Sequence, residues 1–305
     1  MTNSPHPGST LTEIDWKLLI SRIKAKQCTP FIGAGASVPN LPLGSQLARS
    51  WAEEFKYPLE DSYDLAKVAQ FLAVDGDPAF LKQQVEEKLK NKPAPDFREP
   101  DQPHRMLADL DLPLYLTTNY DDYMYDALAS RGKMPQREIC HWKTGIKELA
   151  PTVFGGEYTP SSAEPLVFHL HGFIEQAETL VLTEDDYLEF LVTFSREGNG
   201  NDQFLPDIVR TNLATTSLLF VGYSLADWNF RVLLRSLLKA FDKSPKTKSI
   251  AVQFAPPAVD KSENGVKRAM DYLDKYFSSI SNKVEVHVFW GDAHDFARQL
   301  RARMG

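Results

Sequence analysis

The chain has 305 residues, and 34 Lys and Arg against 41 Asp and Glu leave a formal net charge of −7. Hydrophobic residues are 43% and charged residues 25%, which excludes a largely disordered chain, and no apolar run approaches the roughly 18 residues that span a bilayer. No basic cluster marks a nucleic-acid footprint, and the 2 cysteines, Cys28 and Cys140, are too few for a disulfide framework or a four-cysteine zinc site.

Residues 1–9 hold two Pro, a Gly and two Ser and read as a flexible leader. A helix follows, opened by the capping-box spacing Thr10-x-x-Glu13, with an apolar stripe of Trp16, Leu19, Ile20 and Ile23. A strand over 29–32 runs into Gly33-Ala34-Gly35-Ala36-Ser37, and the next helix puts Ala48, Trp51, Ala52 and Phe55 on one face. The stretch from about 56 to 105 reads as a helical insertion. One helix there carries Leu65, Val68, Ala69 and Leu72, another starts at Asp77-Pro78, and the proline-rich run 93–103 is a linker. A strand over 114–118 leads to Asn119-Tyr120-Asp121 and a helix ending near Gly132, and a further strand spans 137–142.

A Gly/Pro/Ser-rich loop over 151–165 precedes a strand at 166–171, and a second insertion over 172–215 reads as a short strand and helices. A buried strand follows at 217–221, and Asp227 opens a helix carrying Phe230, Leu233, Leu234 and Leu237. Strands at 250–254 and 284–289, a helix over 260–279 and a terminal helix close the chain. Strands separated by helices predict an α/β fold: a doubly wound, mostly parallel, Rossmann-like sheet with helices on both faces, built from residues 10–305.

In such a sheet, ligands bind at the carboxyl ends of the strands. Four strand ends carry informative residues: 33–37, Thr118-Asn119-Tyr120-Asp121, His169-Leu170-His171-Gly172 and Gly222-Tyr223-Ser224. Glycine turns let backbone N–H groups approach a pyrophosphate, although a plain strand-to-helix turn uses the same residues. The dehydrogenase fingerprint fails, because its third glycine would fall at Val38 and the acidic residues downstream, Glu53 and Glu54, lie on a helix. No P-loop spacing occurs either.

Together, Gly-Ala-Gly-Ala-Ser (33–37), Thr-Thr-Asn-Tyr-Asp (117–121), His-Leu-His-Gly (169–172) and Val-Gly-Tyr-Ser (221–224) resemble the NAD-binding sirtuin family over about residues 14–240. The Asn-Tyr-Asp form, with Gly-Tyr-Ser-Leu-x-Asp at 222–227, is most similar to the bacterial sirtuin-like proteins of anti-phage systems. The sirtuin deacetylases carry two Cys-x-x-Cys pairs that Cys28 and Cys140 cannot supply, and an Asp-Phe-Arg run where this chain reads Val38-Pro39-Asn40. The resemblance therefore implies an NAD+ hydrolase that releases nicotinamide and ADP-ribose, as the NAD-depleting effector of a bacterial antiviral system. It implies NAD+ as substrate, no metal, and a cytoplasmic location. The expected partners are further copies of the chain or a defence partner, a HerA-type ATPase or a short Argonaute, since 305 residues leave little room for a sensor. No direct nucleic-acid or membrane contact is expected. An NAD-dependent deacylase and a non-catalytic NAD or ADP-ribose sensor are the alternatives.

By the same resemblance His171 is the catalytic base and Asn119 positions water and the ribose hydroxyls. Gly33, Ala34, Gly35, Ser37, Gly222 and Ser224 line the cofactor, although both serines are also ordinary turn residues. Asp121 meets the nicotinamide carboxamide or caps the helix after it; Asp227 is a helix cap or an adenosine contact. Strand alternation predicts His169 and His171 on one face, His169 in support, with no aligned carboxylate to complete a metal site. Tyr115, Tyr120, Tyr123 and Tyr125 read as packing, and the basic run 239–248 as a solvated turn.

Overall fold

The structure is a computed structural model that describes residues 11–305 apart from 77, 91, 144, 150, 151, 197–203, 225–227, 241–246, 254–259 and 279–283. Its strands are β1 (Cys28–Ile32), β2 (Leu114–Thr117), β3 (Gln136–Ile139), β4 (Leu166–His169), β5 (Ser217–Val221), β6 (Thr247–Gln253) and β7 (Val284–Trp290). All pair in parallel in the order β3-β4-β2-β1-β5-β6-β7. From β1 the chain builds β2 to β4 on one side, then returns to lay β5 against the other edge of β1. The switch point of this Rossmann-like α/β sheet is therefore the crevice between β1 and β5.

Side-chain alternation divides the core. Phe31 registers with Leu116 and with Phe220, and Leu116 with Phe168, so these four face one side together. Ile32, Tyr115, Val167 and Leu219 face the other. Both faces are apolar, as a parallel sheet buried under helices requires.

The helices are α1 (Glu13–Lys24), α2 (Gly44–Glu54), α3 (Leu65–Asp75), α4 (Pro78–Lys90), α5 (Pro103–Asp109), α6 (Tyr123–Ser130), α7 (Ile146–Leu149), α8 (Glu184–Arg196), α9 (Asp207–Thr215), α10 (Trp228–Ala240), α11 (Glu263–Ser278) and α12 (Ala293–Met304). Trp16 of α1, Met124 of α6 and Phe296 of α12 pack on the Ile32 face. Trp51 of α2, Val68 of α3, Val85 of α4, Phe190 of α8 and Phe230 of α10 pack on the Phe31 face. The helices α2 to α5 thus fill the long connection between β1 and β2.

Several boundaries differ from those the sequence predicts. The capping box of α1 is Thr12 with Asp15: Asp15 N donates to Thr12 Oγ1 at 3.2 Å and Thr12 N to Asp15 Oδ2 at 3.0 Å. Thr10 lies outside the described residues, as do the leader 1–9, Asp77 and most of the basic run. The proline-rich linker ends in α5, where Gln102 accepts from Arg105 N and Pro103 takes the first turn. No strand forms in the described part of 172–215; Phe173 and Gln176 make only an isolated bridge. The strand predicted to reach residue 171 ends at His169.

Candidate active site

The first motif leaves β1 as a single 3-10 turn, Ala34–Ser37, and α2 starts only at Gly44. Three of its N–H groups are committed within the protein. Gly33 N donates to Val221 O at 2.9 Å, Gly35 N to Gly222 O at 2.8 Å and Ala36 N to Gly33 O at 3.0 Å. The β1 and β5 turns therefore interlock through backbone. Gly222 has φ +85°, and a Cβ there would sit 2.3 Å from Ala36 N. Only glycine fits that conformation and that contact. The helix N-terminus expected after the glycine turn is instead a 3-10 turn, and its backbone interlock with Gly222 forms the floor of the β1–β5 crevice.

Above this floor three polar side chains meet. Asn119 Nδ2 donates to Ser37 Oγ at 3.1 Å, and Ser37 Oγ donates to Asp121 Oδ2 at 3.1 Å. Asp121 Oδ1 accepts from Tyr123 N at 3.0 Å, so the carboxylate also supports the start of α6. Burial raises the Asp121 carboxyl to about 6, against the lowering pull of the Tyr123 and Ser37 bonds. Thr117 Oγ1 accepts from Asn119 N at 2.9 Å and donates to Ile32 O at 3.2 Å, holding this turn on β1.

The two histidines part company where β4 ends. β4 ends at His169, so the alternation predicted for 169 and 171 has no strand to hold it, and Gly172, at φ +86°, turns the chain just beyond. His169 is in direct contact with Asn119: its Nδ1 lies 3.2 Å from Asn119 O and carries the proton, since a carbonyl can only accept. His171 instead sits in an aromatic pocket of α8, its ring centroid 5.3 Å from Tyr187 and 5.0 Å from Phe190, each edge-on. Its Nε2 is buried with no hydrogen-bond partner. Burial alone pushes His171 down to about 3, so the ring is neutral at pH 7. Burial, aided by the charge of Arg137, pushes His169 to about 3 as well.

The structure thus brings Ser37, Asn119 and Asp121 into direct contact and interlocks Gly33 and Gly35 with Gly222. His171 stands apart from that network, and Ser224 is exposed beyond β5. Asp227 lies outside the described residues. Among the described residues, no group of three or more His, Cys, Asp or Glu is arranged to hold a metal. Tyr115, Tyr120 and Tyr123 pack with their hydroxyls on backbone carbonyls, and Tyr125 packs beneath the Arg137 guanidinium.

Two contributors escape sequence reasoning. Tyr223 OH donates to Ile32 O at 2.9 Å and lies 2.8 Å from Thr118 Oγ1, tying β5 to the ends of β1 and β2. Its place inside Val-Gly-Tyr-Ser was the available signal. The aromatic wall of Tyr187 and Phe190 left none, because an aromatic pair three residues apart reads as ordinary helix packing.

A profile described as the SIR2-like domain matches residues 113–280, more than half of the chain. The chain belongs to the SIR2-like family. Among curated relatives, this SIR2-like chain is 26% identical to "NAD(+) hydrolase ThsA" of Cytobacillus dafuensis over 74% of its length and 41% of that protein's. It is 23% identical to "NAD(+) hydrolase ThsA" of Bacillus cereus over 89% of this chain and 52% of that one. With "Defense-associated sirtuin 2" of Bacillus subtilis the identity is 25%, over 84% of this chain and 25% of that one. The chain spans about half the length of these relatives or less. A solved structure concerned with the mechanism and regulation of Sir2 enzymes overlaps 96% of this chain and 100% of its own, at TM-score 0.41 and 13% identity.

Proposed function

We propose that the chain is an NAD+ hydrolase that cleaves the nicotinamide–ribose bond. The reaction consumes NAD+ and water and yields nicotinamide, ADP-ribose and a proton. Positive charge grows on the ribose as the bond breaks, so the site must orient the ring, stabilise that charge and deliver water. One observation supports the reading most: two neutral histidines with unspent Nε2 atoms, His169 and His171, close β4 at the sheet end that carries the Ser37–Asn119–Asp121 network. The printed names of the ThsA relatives point the same way.

The roles follow from hydrogen-bond capacity. Asn119 spends Nδ2 on Ser37, which leaves its carbonyl oxygen to accept from a ribose hydroxyl or a water. Asp121, with Ser37 and Tyr123 N supporting its two oxygens, offers an acceptor to the nicotinamide carboxamide N–H groups. His171 Nε2 takes the proton from a ribose hydroxyl or the attacking water. The resemblance assigns the rest of the dinucleotide to Gly33, Ala34, Gly35, Gly222, Ser224 and Asp227.

The biological reading is a bacterial antiviral effector that depletes NAD+, held inactive until it assembles. Its assembly partner is a further copy of the chain, a HerA-type ATPase or a short Argonaute. Nicotinamide release, measured on the protein alone and with such partners, tests this reading. His171→Ala is expected to lower release by about 10²-fold or more. No release in any state, or equal release from His171→Ala, overturns it.

A further inference from the structure

His171 in its aromatic pocket cannot serve a substrate as it stands. It is 6% exposed, and a base held at about 3 takes a proton poorly at neutral pH. What covers it is the segment from 178 through α8, and that segment is fastened from several directions. Val181 N donates to His171 O at 3.0 Å, Trp142 Nε1 donates to Thr179 O at 2.9 Å, and Tyr120 OH donates to Val181 O at 2.7 Å. These are neutral bonds from the sheet and its turns.

The fourth fastening is charged and comes from the helices inserted between β1 and β2. Lys82 of α4 is only 8% exposed, unusual for an ammonium group. Its Nζ donates to Leu180 O at 3.0 Å and Glu178 O at 3.4 Å, and lies 3.7 Å from Asp186 Oδ2. Asp186 in turn accepts from Leu182 N at 3.0 Å and Thr183 N at 3.1 Å, forming the first turn of α8. The next residue is Tyr187, the first wall of the histidine pocket. One buried cation thus gathers two backbone carbonyls and the capping carboxylate of the helix over His171. Burial holds the Lys82 ammonium below its ordinary value, with Asp186 opposing and nearby Lys143 adding repulsion.

We propose that Lys82 is a positioning residue that latches the 178–190 segment over His171, so that the helical section between β1 and β2 controls access to the catalytic base. Removing the cation strands Asp186 and two carbonyls in the interior, which favours opening of the cover. The inference deepens the hydrolase reading and rests on it for its biological meaning, but its test is separate.

The experiment is modification of histidines by diethyl pyrocarbonate on the intact chain, mapped by mass spectrometry, for the wild type, Lys82→Met and Asp186→Asn. Asp186→Asn keeps an acceptor for the helix cap while removing the ion pair. His104 on α5, 1% exposed, reports on the fold as a whole. The expected result is a rise of about tenfold or more in the His171 rate in Lys82→Met, a smaller rise in Asp186→Asn, and His104 still protected. Nicotinamide release without a partner should rise in parallel. His171 as protected in both variants as in the wild type overturns the latch. So does His104 reacting together with His171, which would make Lys82 a support of the whole fold. No nicotinamide release from any variant, alone or with partners, with His171 exposed as expected, would instead overturn the hydrolase reading and leave the latch standing.

Discussion

The glycine junction at β1 and β5 and the histidine turn after β4 stand at the same end of one sheet and are built on opposite plans. At the junction three backbone N–H groups are spent on their neighbours: Gly33, Gly35 and Ala36 donate to Val221, Gly222 and Gly33 carbonyls. At the histidine turn the main chain is also bonded, Leu170 N to Thr117 O and Val181 N to His171 O, yet two side-chain atoms, His169 Nε2 and His171 Nε2, are buried with nothing in the protein to bond. A buried polar atom without a partner is costly, so its retention there marks the place where chemistry is expected. The junction is a wall; the turn holds a reserve.

Acid should separate the two regions most. His104, His169 and His171 are each held at about 3 by burial, whereas an unfolded histidine takes a proton near 6.5. The native state binds fewer protons between those values, so stability falls as pH drops through that window. Asp121, raised to about 6, opposes this by gaining stability as pH falls toward 4, and Asp122, Asp126, Glu138 and Asp274, also raised by burial, act in the same sense, but the three histidines are the most deeply shifted of the groups that titrate there. A net loss on the order of a few kcal/mol is expected between pH 7 and pH 5. Thermal unfolding followed across that range checks it, and His171→Phe should flatten the slope. A melting temperature that rises on acidification would break the account of the histidine turn.

Gly222→Ala tests the wall. The substitution forces a left-handed residue to carry a Cβ 2.3 Å from Ala36 N, and about 3 kcal/mol of destabilisation is expected. Gly132 has φ +75° with nothing within 4 Å of its Cβ position, so Gly132→Ala should cost only about 1 kcal/mol. Denaturant unfolding of the pair separates close packing from backbone strain; equal losses would mean that the interlock contributes nothing.

Ser37→Ala is the smallest change and lies between the regions. It removes the hydroxyl that joins Asn119 to Asp121, at a cost of about 1 kcal/mol in stability and roughly tenfold in nicotinamide release. Unchanged release would show that the network is scaffolding alone.

Much of this was readable in the chain. Short apolar runs bounded by glycine and proline located the strands, because a parallel sheet covered on both faces needs them apolar throughout. The site network was legible through residue types: Ser37 after β1, and Asn119 and Asp121 after β2, close two strand ends that a doubly wound sheet brings side by side. The placement of His171 was not, since alternation holds only while the strand lasts and β4 stops at His169. Lys82 was hidden for a different reason. In Leu81-Lys82-Gln83-Gln84 it reads as one more solvated helix lysine, and only the tertiary contact with 178–186 buries it. The Thr12–Asp15 box was displaced by two residues from the Thr10–Glu13 spacing because both pairs satisfy the same local pattern.

Cys28 and Cys140 are both buried, and burial pushes the Cys28 thiol up to about 12, where almost no thiolate forms. The chain is therefore chemically silent toward thiol-directed probes in its folded state. Leu188, 61% exposed on α8, sits one residue beyond Tyr187. A single cysteine introduced there would carry the only reactive label among the described residues, and a spectroscopic probe on it would watch the helix over His171 directly.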